Sequence, residues 1–121
     1  MSRNSEIVSA FTKAWSEGDV EKIMSFFTDD AVYLNVPIPP EHRGKAAIRK
    51  AIEGFVGMAR AIEFRVHYQG ESADGVVFNE RTDRFDMGAK WVELPVAGIF
   101  ELRDGKISAW RDYFDRQMFT S

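Results

Sequence analysis

Residues Lys90–Phe114 read KWVELPVAGIFELRDGKISAWRDYF. Two strand-like runs flank Asp104-Gly105-Lys106, and Asp-Gly is the pair that tolerates the positive φ a tight hairpin turn requires. The stretch therefore predicts a long antiparallel hairpin. Moving toward the N-terminus, VVFNERTDRFD (Val76–Asp86) and AIEFRVHYQ (Ala61–Gln69) carry the same signature, separated by turns at SADG and near Gly88. From Ala61 onward the chain reads as an antiparallel meander. Pro95 lacks the N–H a ladder needs, so an edge or a bulge is expected there.

Ahead of the meander the period changes. Ile7, Val8, Phe11, Ala14 and Trp15 recur at helical spacing and Gly18 follows, which predicts a helix over Ser5–Glu17. Asp19 can cap a short second helix running through Phe27. AVYLNV, Ala31–Val36, reads as a strand ended by PIPP. GKAAIRKAIEGFVG aligns Ala47, Ile48, Ile52 and Phe55 on one stripe of a third helix. Helices first and a meander after them is an α+β arrangement, with helices covering one face of a curved sheet. Phe11, Trp15, Ile48 and Ile52 are assigned to its core.

The 121 residues fit one domain, residues 1–121, with a net charge of −3 and basic residues scattered among acids. That balance points away from nucleic acid and from anionic membranes. No apolar run approaches a membrane span, and no signal peptide is read at the N-terminus, so a cytoplasmic protein is expected. With no cysteine and only His42 and His67, thiolate chemistry is excluded and a histidine-based zinc site or triad has little to work with. Chemistry must come from carboxylates, arginine, tyrosine and amides.

Strand alternation sorts those groups. Arg81, Asp83 and Phe85 share one side of their strand. Trp110, Asp112 and Phe114 share one side of theirs. Tyr33 and Asn35 share a side of the first strand. Alternation alone does not bring the three sets together, and buried Arg–Asp pairs often only satisfy each other. Two acids buried with one base nevertheless leave a surplus negative charge, which is relieved if one carboxyl keeps its proton. Such a pair is an acid and a base in one place. One carboxylate could take a proton from a water held by the Tyr33 hydroxyl and the Asn35 amide carbonyl. The other could protonate a leaving oxygen, with Arg81 between them. Phe85, Leu94, Val96, Trp110 and Phe114 would form an apolar pocket wall.

YLNVPIPP, ERTD and GIFELRDGKISAWRDYFD together resemble the limonene-1,2-epoxide hydrolases, a family of the NTF2-like (SnoaL-like) fold, from the first helix to about Phe119. The segment Met58–Ser72 resembles the family little. The resemblance implies a cone: a strongly curved mixed sheet with helices on its concave side around a deep apolar pocket. It implies that Asp112 is the general base toward water and that Asp83 is the acid toward the epoxide oxygen. Arg81 would bridge them, while Tyr33 and Asn35 hold the water. It also implies no metal, no cofactor, a homodimer, and a small hydrophobic epoxide plus water as substrates. Two other readings stand beside it: a ketosteroid-isomerase- or polyketide-cyclase-like enzyme that adds no water, and a non-catalytic ligand-binding module.

Overall fold

The computed structural model describes residues 3–120, with side chains through residue 118. Helix α1 (Arg3–Ala14) buries Val8, Phe11, Thr12 and Ala14 and runs into a 3-10 turn at Trp15–Glu17. Gly18 stops it with φ 67°, a left-handed conformation cheap only for glycine, and returns its N–H to the Trp15 carbonyl. Asp19 caps α2 (Val20–Met24) by accepting the Lys22 N–H at 3.2 Å. This helix is shorter than expected. The Ile107 N–H takes the Phe26 carbonyl at 2.8 Å, so the backbone leaves helical geometry to join the sheet and Phe27 opens a strand.

That strand is β1 (Phe27–Asn35), followed by the two-residue β2 (His42–Arg43) and by α3 (Gly44–Met58). The meander follows as β3 (Ala61–Glu71), β4 (Val77–Asp86), β5 (Trp91–Arg103) and β6 (Lys106–Tyr113), with α4 (Arg116–Thr120) last. The hairpin turn forms at Asp104 and Gly105, with φ 52° and 79°.

The six strands make one sheet in the order β2-β1-β6-β5-β4-β3. β1 runs parallel to β6 and every other pair is antiparallel, so the sheet is mixed. Register shifts between Val66 and Tyr68, between Glu101 and Leu102, and between Phe27 and Val32 bend it. Pro95 lies on a central strand, and its pairing with Thr82 runs without a shift. The β5–β6 pairing, however, reaches only as far as Ala97–Tyr113, so at Pro95 one side of β5 has no neighbour in the sheet. The edge is local, not an edge strand or a bulge.

α1 and α3 lie against the inner face, α1 over β3 and β4 and α3 over β1 and β2. The Phe11 ring stands edge-on to Trp110, Phe27 and Phe26 at 5.0–5.5 Å, while Trp110 stacks on Tyr33 at 4.1 Å. These aromatic contacts close one end of the cone. Among the described residues no helix is long and apolar enough to cross a membrane.

Candidate active site

β4 alternates strictly: Val77, Asn79, Arg81, Asp83 and Phe85 are buried while their neighbours point outward. The register then lays one row across five strands. Asn35 on β1 pairs with Asp112 on β6, Asp112 with Gly98 on β5, Gly98 with Asn79 on β4, and Asn79 with Gln69 on β3. Arg81 sits one row over, opposite Val96. To reach Asp112 its guanidinium must lie across Gly98. A Cβ at Gly98 would overlap Arg81 Nη1 and stand 3.0 Å from both Asn79 Oδ1 and Asp112 Oδ1. The missing side chain is the slot that the guanidinium fills.

Arg81 is fully buried and its donors are shared out. Nε donates to Asp83 Oδ1 at 2.7 Å and Nη2 to Asp83 Oδ2 at 3.1 Å. The same Nη2 donates to Asp112 Oδ2 at 2.5 Å, and Nη1 to Asn79 Oδ1 at 3.2 Å. Both carboxyl groups thus meet at one nitrogen. Trp110 Nε1 adds a neutral donor to Asp112 Oδ1 at 2.7 Å. Phe64 covers the guanidinium, its ring centroid 4.8 Å from Cζ, and the Trp15 ring stacks on Phe64 at 4.8 Å.

Sequence reasoning left out the outer support of this cluster. Asn79 Nδ2 donates to Gln69 Oε1 at 3.1 Å, and Gln69 Nε2 in turn donates to Ser5 and Ser9 on α1 at 2.9–3.0 Å. Asn79 shares its parity with Arg81 and Asp83, so one more step along the alternation would have found it.

Burial pushes Asp83 up to about 6, against the opposing pull of Arg81 and with a further push from Asp112. Burial raises Asp112 as well, while Arg81 and the Trp110 N–H work the other way. Burial would depress Arg81, but the charges of Asp112 and Asp83 outweigh it and hold the guanidinium above its ordinary value. Burial first, then the Asp112 charge, keeps the Tyr33 hydroxyl well above its usual range, so it stays protonated. With both acids ionised the cluster carries a formal surplus negative charge, and one retained proton removes it.

The acids face a cavity whose wall is otherwise mostly apolar. Tyr33, Asn35, Asp83 and Asp112 line it together with Phe85, Leu94, Val96 and Phe114. One expectation changes. Trp110 does not line the cavity: it is fully buried between Tyr33, Phe100 and Phe11, and reaches the site only through its N–H on Asp112. Trp15 is buried in the core as expected and also borders the cavity, with Ile38, Phe55 and Phe64. Only the three-dimensional register could reveal this, because β3 sets Phe64 opposite Asp83.

The Tyr33 hydroxyl donates to Asn35 Oδ1 at 3.1 Å. That bond uses one lone pair of the amide carbonyl and commits the Tyr33 proton, so the Tyr33 oxygen can act as an acceptor and the Asn35 N–H groups as donors on the cavity wall. Among the described residues no three His, Asp or Glu side chains are grouped to hold a metal ion.

Comparison with known proteins bears on the family and the fold. The family model for the limonene-1,2-epoxide hydrolase catalytic domain matches residues 2–121. Epoxide hydrolase EphG of Mycobacterium tuberculosis is 38% identical over 111 residues, covering 89% of this chain and 70% of the relative. A solved epoxide hydrolase of that type from M. tuberculosis superposes with a TM-score of 0.84 at 31% identity, over 98% of this chain and 86% of the other. The fold extends to SalBIII, an epoxide hydrolase/cyclase-like enzyme of pyran ring formation in salinomycin. It has a TM-score of 0.85 at 23% identity, over 94% of this chain and 92% of that one.

Proposed function

Since the chain belongs to the limonene-1,2-epoxide hydrolase family, we propose that it adds water to a hydrophobic, cyclic or terpene-like epoxide and releases a vicinal diol in one step. The observation that carries this reading is the bridge: one guanidinium joins two buried carboxyl groups that both open onto an apolar cavity beside Tyr33 and Asn35.

Asp112 is the base. Its extra neutral donor, Trp110 Nε1–H, favours the ionised form without adding charge. A water that donates to Asp112 and to the Tyr33 oxygen, and accepts from the Asn35 amide, keeps one lone pair for attack. Asp112 takes its proton as the oxygen bonds to an oxirane carbon. The ring C–O bond breaks and Asp83 gives its proton to the departing oxygen. Afterwards Asp112 holds a proton and Asp83 does not, so one proton passing between them resets the site. The water ends in the diol and the protein forms no ester. An isomerase- or cyclase-like reaction that adds no water would leave one of the two acids without a task.

Single-turnover reaction with a cyclic epoxide in isotopically labelled water tests the scheme. The diol is expected to carry the label from the first turnover. A first-turnover diol with an unlabelled second oxygen means a covalent ester, and an isomer without uptake means the proton-shuffling alternative. Asp112→Asn should lower kcat by at least about a hundredfold while the fold persists; undiminished turnover removes the base from the scheme.

The outer face of the sheet suits a second copy of the chain in the cytoplasm. Tyr68, Glu80, Ala97 and Tyr113 form an exposed row across β3, β4, β5 and β6, with Phe78 beside it. Sedimentation of the purified protein and of a Tyr68→Glu variant measures that association.

A further inference from the structure

A second apolar hollow adjoins the reaction cavity, with about 770 Å³ of empty space including its mouth. Pro39, Pro40, Gly54 and Met58 line it, and Asn35, Ile38 and Phe55 belong to both walls. A molecule that occupies both must pass Ile38 and Phe55. Asn35 and His42 are the polar side chains among the described residues lining the hollow, which carries no carboxylate, lysine or arginine and is otherwise apolar, so it suits apolar matter.

Gly54 sharpens the point. It lies inside α3, where glycine is the weakest helix former after proline. Its φ is not left-handed, and a Cβ built on it meets nothing within 4 Å. Neither backbone geometry nor close packing calls for a glycine. What its missing side chain preserves is the open space of the hollow. Gly57, three residues on, is equally open but does not line it.

Building on the epoxide-hydrolase reading, we propose that this hollow is a subsite for an aliphatic tail of the substrate. The oxirane sits at Asp83 and Asp112, and the tail runs between Ile38 and Phe55 and along Gly54 toward Met58. Ile38 and Met58 are each 40% exposed, apolar surface that a tail would cover. The inner cavity then fixes the reacting atoms, and the outer hollow sets how long a substituent is accepted.

The test uses the intact protein, Gly54→Leu, the milder Gly54→Ala, and Gly57→Leu as a control on the same helix. Leucine and alanine are better helix formers than glycine, so folding is retained. Turnover is measured with cyclohexene oxide, epoxyhexane and epoxydodecane. Each methylene buried is worth about fourfold, so Gly54→Leu should lower kcat/KM for epoxydodecane by about tenfold or more. Gly54→Ala should do less, and cyclohexene oxide should be unaffected. Gly57→Leu should change none of the three. An equal loss for all substrates, or no loss for the long one, overturns the subsite.

Calorimetric binding of hexanamide and decanamide, which need no turnover, gives an independent readout. Decanamide should bind the wild type more tightly, and Gly54→Leu should erase the difference. If no epoxide is turned over yet that difference appears, the reaction is wrong and the subsite stands. If decanamide binds the wild type no tighter than hexanamide, the subsite is wrong.

Discussion

Asp83→Asn is expected to abolish turnover and yet stabilise the protein at alkaline pH. The side chain is almost wholly buried, and its carboxyl titrates near 6 rather than at the ordinary 3.8. Between those values the folded protein binds a proton that the unfolded chain releases. Stability therefore falls as pH rises through the window, and the loss persists above it. At 1.36 kcal/mol per unit, the shift corresponds to about 3 kcal/mol at most, reached near pH 8. Asparagine has the shape of the protonated acid and can keep the bond from Arg81 Nε, while Arg81 retains Asp112 as its counter-charge. The variant should thus gain up to about 3 kcal/mol over the wild type near pH 8 and only about 1 kcal/mol near pH 4.5. For a chain of this length that is roughly 12 °C in Tm. Thermal melts of both proteins at the two pH values read it directly. A variant destabilised by the same margin at both would mean that the carboxyl ionises inside the fold without penalty, and a general acid at position 83 would lose its physical basis.

Other perturbations probe separate parts of the cluster. Gly98→Ala pushes a methyl group into the guanidinium slot; it should lower kcat by about a hundredfold and stability by about 1–3 kcal/mol, measured by steady-state kinetics and urea unfolding. Trp110→Phe removes the N–H from Asp112 Oδ1, so the Asp112 carboxyl should rise further and the low-pH limb of the kcat/KM profile should move to higher pH. Asn79→Ala leaves Arg81 Nη1 without its acceptor and Gln69 without its donor; a stability loss of about 1–3 kcal/mol is expected, with kcat falling more than KM rises.

The fold was legible where local chemistry decides it. Strand period, the Asp104-Gly105 turn, the Gly18 stop and the Asp19 cap each act over a few residues, and helices and meander followed from them. Phe27–Asp30 was not legible, because Thr28, Asp29 and Asp30 carry no apolar alternation. The strand starts where Phe27 pairs with Ile107 on β6, a partner about eighty residues away in sequence, and those residues lie in the irregular stretch before pairing resumes at Val32. The same distinction governs the site. Parity along β4 and β6 put Arg81, Asp83 and Asp112 on useful sides of their strands, but no local rule states that Asn35, Asp112, Gly98, Asn79 and Gln69 share a row. The role of Gly98 is invisible until that row exists. Trp110 was expected on the pocket wall for a related reason: it has the parity of Asp112, and only curvature decides which large side chain meets the cavity and which lies behind it.

Curvature also ties recognition to chemistry. Phe64, Phe85, Leu94 and Val96 give the cavity its apolar wall, and they also belong to the low-dielectric surroundings that make ionising Asp83 costly. A polar substitution in that wall should therefore alter two quantities at once. Phe85→Ser, for example, admits water beside Asp83, weakens binding of an apolar epoxide, and lets the acid's pKa fall toward 3.8. The high-pH limb of the rate profile should then move to lower pH in step with the rise in KM. Affinity and proton supply that changed independently across a series of Phe85 variants would show that the wall and the acid are separate devices.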